Sequence, residues 1–371
     1  MADSVVNKIQ SYSKKSPSEL RLFINSLSEN DRREVYKLCG TTGLCSAYLQ
    51  ANVAILHKDV ANEFLKFCEL NPGPCPLLYK SEIGELSAKR LAPNGNIGKD
   101  VIAYMKHSED GSQELFTLEN EPLKDFVSFY LGCSYSMENH LMSHGIQIRN
   151  VINRAVVSVY VTSIDCNVAG PFHSKLVVSM RPIPIENLNF VLNECRKFPL
   201  AHGMPVHIGN PALIGIHDMN NVYFGSPCEI NENEVPAFWC CGITSSLAIK
   251  NSNTLVSYSH YPGNMHVTDV KLECESLPSD IRIFALNNYP FFASVLTQKS
   301  QTLLDEFERI IATDKGERGI KFLLERGELC KAALSLSHSK RIAIMTGFPC
   351  YEKFPHYELD GPPGPFLWQM R

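Results

Sequence analysis

The sequence predicts a protein of the α/β or α+β class, in which helices and strands share a core. Short runs rich in β-branched and aromatic residues are typical of buried strands. Between them lie stretches whose apolar residues recur three and four positions apart, which predicts amphipathic helices. Long segments rich in Gly and Pro predict irregular connections. The chain has 371 residues, more than an average domain, which favours two domains.

The N-terminal elements are expected to be helices. Residues 16–38 predict two in succession, the first capped by Ser16 or Ser18 and the second by Ser28 or Asn30. Short polar side chains are preferred there because they accept hydrogen bonds from backbone N–H groups that have no partner inside the helix.

Strands and helices are then expected to alternate. Further helices are predicted at 60–71 and 185–198. Strands are predicted at 126–133, 155–164, 174–180 and 236–244, and a strand–turn–strand unit at 259–269. Beyond about residue 290 the predicted elements are helices at 294–314 and 319–340 and a strand at 341–349. A strand that runs into a Gly/Pro-rich loop typically opens an α/β unit, so residues 290–371 are interpreted as a helical linker and the truncated start of a second domain.

Composition excludes several classes of protein. The net charge is −4 and Lys and Arg are scattered, which argues against nucleic acid and anionic membranes as partners. The 13 cysteines include no CxxC pair, so reduced thiols are favoured over zinc binding or a disulfide framework. No apolar run approaches the roughly 18 residues of a membrane span. The N-terminus lacks a secretory core and is weak as a mitochondrial transit peptide.

Five loops at strand ends carry the candidate chemistry. In GCSYSMENH (132–140) a strand runs into a helix start, where Ser134 or Ser136 can act as cap and free N–H groups favour an anion. A plain capped helix explains the same residues equally well. His140 and His144 share a helix face suited to zinc, but no third ligand is evident nearby.

Two further loops carry an arginine and a pair of histidines. Arg181 in VVSMRP stands at a sheet edge, where its guanidinium can bind a carboxylate or form an ordinary salt bridge. His202 and His207 in AHGMPVHIGNP can be metal ligands, core residues, or groups for acid–base work or ligand anchoring, the last being preferred.

The remaining two loops hold cysteines and another histidine pair. Cys240 or Cys241 in WCCGITSS can be a nucleophile, although alternation along a strand buries at least one of them. The fifth loop, SHYPGNMHVTD, contains His260, His266 and Asp269.

Seven colinear segments resemble the hydro-lyase family that is grouped with D-glutamate cyclase. They are TTGLCSAYLQANVAIL, FLKFCELNPGPCPLL, FYLGCSYSMENHL, VVSMRP, AHGMPVHIGNPALIGI, EVPAFWCCGIT and SHYPGNMHVTD. The resemblance covers roughly residues 16–285, and the tail from 341 resembles the opening of a second domain that follows in animal members of the family. Asn210 departs from the family's usual Asp, Ser245-Ser246 from Pro-Gln, and Asn264 from His.

The resemblance implies a fold and a reaction. The fold is α/β: a mixed-sheet α/β domain over 16–285 with a smaller α+β domain inserted near 140–215, followed by the C-terminal helical segment. The reaction is reversible dehydration of D-glutamate to 5-oxo-D-proline and water, in a cleft between the domains, without metal or other cofactor. The implied compartment is the mitochondrial matrix, with cytoplasm as the alternative.

Roles for individual residues follow from that resemblance as a hypothesis. Arg181 would hold the α-carboxylate, and His207 or His202 would take a proton from the α-ammonium. Donors from the turn at Cys133 and Ser134, or from the Gly242 turn, would stabilise the oxyanion. The acid that protonates the departing hydroxide would be Glu138 or His260. Asn210 and Asp269 complete the expected substrate-binding set.

Two other functions stay open. The same pocket can belong to a binding module that holds a small carboxylate without converting it. A thiol-dependent enzyme can use Cys240 or Cys241. In every case the expected partner is a small carboxylate or amino acid, and self-association into a homo-oligomer is left open.

Overall fold

A computed structural model describes residues 2–343 except 39, 254–255, 278–279, 318, 320–321 and 340. The chain divides into two compact units, Met1–Lys299 and Ser300–Arg371. The described strands are β1 (Tyr48–His57), β2 (Leu77–Lys80), β3 (Tyr104–Ser108), β4 (Gly111–Leu115), β5 (Phe126–Gly132), β6 (Ser158–Asp165), β7 (Lys175–Pro184), β8 (His207–Gly209), β9 (Glu234–Cys240), β10 (Ser257–His260), β11 (His266–Lys271), β12 (Ile281–Asn288) and β13 (Phe291–Thr297). The described helices are α1 (Ala2–Gln10), α2 (Pro17–Ser26), α3 (Glu29–Val35), α4 (Lys58–Leu70), α5 (Tyr135–Ser143), α6 (Arg149–Ile152), α7 (Leu188–Cys195), α8 (Ile243–Asn251), α9 (Gln298–Ile311) and α10 (Glu328–His338).

The strands of the first unit form two sheets. Among the described residues, the first sheet has seven strands in the order β2-β5-β1-β10-β3-β4, with β11 also paired to β1. The second has six, in the order β12-β13-β8-β9-β7-β6. The combined helix and strand content confirms the predicted α/β class. Pairing between these strands is antiparallel throughout rather than mixed.

The centre of the first sheet is buried on both faces. Alternate residues of β1 point into different cores, with Ala54 and Leu56 packed near helix α4 and Val53 and Ile55 packed on the other face. All seven residues of β5 are buried as well. Such strands lack the apolar–polar alternation of a sheet with one wet face.

The second sheet is covered in the same way. Trp239 on β9 and Ile183 on β7 pack with helices α5 and α7, while Val178 and Phe238 face a separate cluster on the other side. The last residues of β5 and β9, Gly132 and Cys240, are both buried. The turns that follow them build the site described below.

The N-terminal helices confirm the predicted caps. Ser16 caps α2 in a reciprocal bond with Glu19, and Ser28 caps α3 in the same way with Asp31. Such pairs satisfy backbone N–H groups at both positions, which explains why Ser16 and Ser28 act as caps rather than Ser18 and Asn30.

Two C-terminal predictions are corrected. Residues 294–297, predicted as helix, belong to β13, which passes directly into α9 at Gln298 without a turn residue to mark the change. The helix predicted over 319–340 begins only at Glu328 in the described residues. Most of the strand predicted at 341–349 and all of the loop beyond it lie outside the described residues. The subdomain boundary at 140–215 stays a prediction.

Candidate active site

Two strand ends open into helices with the same spacing. Strand β5 ends at Gly132 and α5 begins at Tyr135, so Cys133 and Ser134 form the connection. Strand β9 ends at Cys240 and α8 begins at Ile243, so Cys241 and Gly242 form the other. Neither helix has a side-chain cap. The first helical N–H groups bond back within each turn, with Ser136 donating to the Cys133 carbonyl at 3.1 Å and Thr244 to the Cys241 carbonyl at 3.0 Å. What both ends offer an anion is therefore the positive end of the helix dipole.

Both turns line one narrow cavity in the first unit. Its polar lining combines residues of both turns with side chains from three other segments: Asn52, Cys133, Ser134, Ser179, His202 and Cys241. Apolar residues that include Val157, Val159, Phe224 and Met265 close the rest. Convergent polar groups on a largely apolar lining are typical of a small-molecule site. The cavity encloses only about 20 Å³, so a ligand as large as an amino acid requires its walls to move apart.

Arg181 lies next to this cavity, outside its lining, and orients two serine hydroxyls of the cavity wall. Its guanidinium is 1% exposed, with Nη2 donating to Glu138 Oε1 at 2.6 Å and Ser134 Oγ at 3.1 Å, and Nη1 donating to Ser179 Oγ at 3.2 Å. Since both serine oxygens accept from the guanidinium, each keeps its own O–H to donate elsewhere. Arg181 thereby turns Ser134 and Ser179 into hydrogen-bond donors on the cavity wall.

Glu138 is the counterion of Arg181. The carboxylate is fully buried and also accepts from Thr42 Oγ1 at 2.6 Å and Asn150 Nδ2 at 2.9 Å. Its place is next to the guanidinium, and it is not part of the cavity lining. In this geometry its evident task is to hold the buried cation in position.

His202 presents one ring nitrogen to the cavity. Its backbone is left-handed, with φ 74°, and its Nδ1 lies 2.8 Å from the carbonyl oxygen of Gly73. A carbonyl only accepts, so Nδ1 carries the proton and Nε2 keeps its lone pair. Burial lowers the pKa of His202 to about 4, so the ring is a neutral acceptor at neutral pH.

His207, Asn210, His260 and Asp269 lie outside the cavity lining. His207 stacks on Phe292, and its Nε2 lies 2.7 Å from the carbonyl oxygen of Asn210, whose own side chain caps the following turn.

The other two residues, His260 and Asp269, make polar contacts elsewhere in the first unit. His260 Nδ1 accepts from the backbone N–H of Val53 at 3.0 Å, and burial lowers the pKa of His260 to about 4. Asp269 pairs with Arg21 at 2.6 Å. Their expected roles at the substrate have no geometric support here.

Asn52 and Ser179 line the cavity and were missed from the sequence. Asn52 interrupts the apolar run of β1 and donates to the Gly132 carbonyl at 2.8 Å. Ser179 precedes Arg181 by two residues and therefore points to the same face of the strand. A buried amide inside an apolar strand and a hydroxyl on the arginine's face were the available signals.

The cysteine pair of the second turn divides between core and cavity. Cys240 packs among apolar side chains of the second sheet, and burial raises its pKa to about 12. Cys241 lines the cavity, and burial raises its pKa to about 11. Neither has the lowered pKa of an activated nucleophile. Within the described ranges, no group of three or more His, Cys, Asp and Glu side chains is placed to hold a metal ion.

Gly242 has no room for a side chain. A Cβ there would lie 2.2 Å from the Cγ and Nδ2 atoms of Asn52. We expect Gly242→Ala to displace the amide and to lower the free energy of unfolding by about 1–3 kcal/mol, the usual cost of overpacking. Denaturant unfolding measures the change. Gly73→Ala is the control, because its nearest neighbour, Cys240 Sγ, lies at 3.3 Å and a smaller cost follows. Equal costs would contradict the prediction.

Comparison with known proteins identifies the family. Residues 127–269 match the family described as D-glutamate cyclase, and residues 307–368 match the one described as D-glutamate cyclase-like, C-terminal. A protein of Clostridium beijerinckii named "Putative hydro-lyase" is 40% identical over 263 residues, which span 70% of this chain and 97% of the relative. The relative "Putative hydro-lyase YcsI" of Bacillus subtilis is 39% identical over 234 residues, 63% of this chain and 91% of its own. The chain is a lyase of the hydro-lyase class. It belongs to the hydro-lyase and D-glutamate cyclase family.

The same relatives bear on the expected compartment. The two named above are bacterial, so the comparison gives no support to the mitochondrial matrix. No helix in the described part of the chain is long and apolar enough to cross a membrane. Self-association stays a prediction.

Proposed function

We propose that the cavity binds D-glutamate and closes it to 5-oxo-D-proline with loss of water. The observation that carries the proposal is the convergence of two uncapped helix N-termini, two serine donors and the free ring nitrogen of His202 on one cavity. The family described as D-glutamate cyclase supports this reaction class, and the reaction needs an anion site, a base and stabilisation of an oxyanion, which these groups can supply.

The substrate carboxylate is bound by hydroxyls and helix ends. Ser134 and Ser179, oriented by Arg181, donate to its oxygens, and the positive end of α5 adds to the attraction. The cationic guanidinium acts through these hydroxyls, since its Nη atoms are already bonded. In this arrangement Arg181 does not bind the substrate carboxylate directly, in contrast to the prediction from the sequence, and the buried guanidinium stays paired with Glu138.

His202 is the base of the proposed reaction. Its Nε2 takes a proton from the α-ammonium, so that nitrogen can attack the γ-carboxyl carbon. The low pKa keeps the ring unprotonated at neutral pH, and the Gly73 carbonyl holds the tautomer that faces the cavity. The charge that develops on the γ-carboxyl oxygen is stabilised by donors of the Gly242 turn at the start of α8. The attacking nitrogen gives its second proton to one γ-carboxyl oxygen, which becomes a hydroxyl. The protonated imidazole returns its proton to that hydroxyl, which leaves as water when the C–O bond breaks.

Replacing His202 tests the assignment. We expect His202→Gln to lower the rate of 5-oxoproline formation by at least about 10²-fold, the usual worth of a positioned acid–base group. Product is measured by chromatography with D- and L-glutamate, in metal-free buffer and in the reverse direction. His207→Gln is the matched variant, because His207 is also buried but lies outside the cavity lining.

The outcomes separate the remaining readings. If His207→Gln lost activity and His202→Gln kept it, the base would be His207 rather than His202. If the wild type bound the ligand without converting it, the protein would be a binding module and the lyase proposal would fail for this substrate. Protection of the enzyme against alkylation by bound ligand, with turnover lost on alkylation, would favour the thiol-dependent reading.

A further inference from the structure

The two turns that line the cavity are structurally equivalent. In each, a cysteine follows the last residue of a strand, and the helix begins two residues after that cysteine. The backbone N–H of Tyr135 lowers the pKa of Cys133 and that of Ile243 lowers the pKa of Cys241, in each case against the larger raising effect of burial. Each thiol thus lies close to the first residue of its own helix.

The equivalence extends to the neighbouring strands. Three residues after each cysteine a hydroxyl accepts a backbone N–H from the adjacent strand: Ser136 Oγ from Gln50 at 2.9 Å, and Thr244 Oγ1 from Val177 at 3.0 Å. The turn at Cys133 follows a strand of the first sheet, and the turn at Cys241 follows a strand of the second. The two sheets therefore bring two like thiols to a single cavity.

We propose that Cys133 and Cys241 form a pair of proton-transfer groups that act on the α-carbon of a small amino acid bound in this cavity and invert its configuration. The proposal rests on the carboxylate site of the proposed function, and it adds an activity that cyclisation does not need. Two groups of one kind, each at the end of a different sheet, are what removal of a proton from one face and delivery to the other require.

The step balances without a cofactor. The unprotonated Nε2 of His202 takes the proton of one thiol, and the thiolate so formed takes the α-proton and becomes S–H again. The electron pair of the C–H bond stays on the substrate and spreads into the carboxyl group, whose oxygens receive hydrogen bonds from Ser134 and Ser179. The S–H bond of the other cysteine then breaks, its proton joins the opposite face of the carbon, and its electron pair remains on sulfur. One thiol and one thiolate are present before and after, with their roles exchanged.

The thiols of Cys133 and Cys241 differ from those of Cys195 and Cys240 by their place on the cavity lining. All four pack against apolar side chains, but Cys195 and Cys240 lie outside that lining. Burial raises the pKa of Cys133 to about 12, while the N–H of Tyr135 and the Arg181 charge act in the opposite direction. His202 is 6% exposed and lines the same cavity, and its Nε2, which keeps a lone pair, points independently to a polar ligand there.

Hydrogen exchange at the α-carbon tests the proposal. Wild-type protein is incubated in D2O with D-glutamate, L-glutamate and both enantiomers of 5-oxoproline. Loss of the α-proton is followed by NMR, configuration by chiral chromatography, and 5-oxoproline formation in the same samples. We expect α-deuterium to enter together with inversion, and Cys133→Ser and Cys241→Ser each to slow inversion by at least about 10²-fold. Cys274→Ser, at an exposed thiol, is the control and should match the wild type.

Each outcome decides the question. No α-exchange with any of the four compounds by wild-type protein overturns the proposal, and so does exchange that survives both cysteine substitutions. Cyclisation without exchange leaves the proposed function standing and removes this one. Exchange with inversion but without 5-oxoproline formation supports the inversion proposal and removes the proposed cyclisation. Thermal unfolding of the serine variants, compared with Cys274→Ser, separates loss of chemistry from loss of fold, and a single folded variant that keeps full inversion also defeats the pair.

Discussion

Replacing Glu138 with glutamine is expected to lower the free energy of unfolding by about 3–5 kcal/mol, the usual cost of removing one partner of a buried ion pair. Arg181 is 1% exposed and Glu138 is 0% exposed, and their atoms are 2.6 Å apart. Arginine stays charged at any pH a protein tolerates. In Glu138→Gln the guanidinium would therefore stay buried with an amide in place of its anion.

A surface pair and a double variant complete the experiment. Glu29→Gln is the control, because Glu29 pairs with Arg33 on the surface, where both side chains are more than half exposed, and such pairs are worth about 1 kcal/mol or less. Glu138→Gln combined with Arg181→Met should recover roughly half of the loss, since replacing both partners of a buried pair is often nearly neutral. Denaturant unfolding followed by circular dichroism gives the three values. A cost below about 1 kcal/mol for Glu138→Gln would show that the pair is not decisive.

Stability is expected to fall steeply as pH drops from about 6.5 to about 4, mainly through His202, His260 and His107. Burial lowers the pKa of each to about 4, whereas an unfolded histidine titrates near 6.5. In this window the unfolded chain binds protons that the folded chain does not, so the free energy of unfolding rises with pH and is lost as pH falls. Each histidine contributes about 3 kcal/mol over the whole window, and below about pH 4 its contribution levels off.

Urea unfolding across this pH range measures the effect. His260→Gln should flatten the dependence, because the variant no longer carries a group that protonates only on unfolding. His173→Gln replaces an exposed histidine and should leave the slope as it is in the wild type. If stability were constant between about pH 6.5 and 4, the buried, neutral state of these three rings would be contradicted.

Elements with strong local signals were predictable from the sequence. The caps of α2 and α3 follow from serines that reach a carboxylate three residues on. The strands β5, β7 and β9 follow from runs of β-branched and aromatic residues. The central strand β1 was missed, because Gln50 and Asn52 break its apolar run. Those amides find partners only in the folded chain, at Thr41 and at Gly132.

The candidate site was only partly predictable, for the same reason. The local residue pattern predicted that the turn at Gly132, Cys133 and Ser134 begins a helix and favours anions. The structure places Cys133 and Ser134 on the cavity lining. The choice between His202 and His207 depends on contacts that spacing does not contain. Gly73, which holds His202, lies 129 residues away in the chain.

The sequence by itself determined the helix and strand segments that its local patterns mark, the candidate loops, and the resemblance to the family. These depend on residues a few positions apart, where periodicity and capping act. Only the tertiary structure decided which residues share the cavity. It placed Ser179 and His202 there and paired Asp269 with Arg21, 248 residues away. Burial and long-range partners set charge and orientation, and neither is written in the spacing of a single loop.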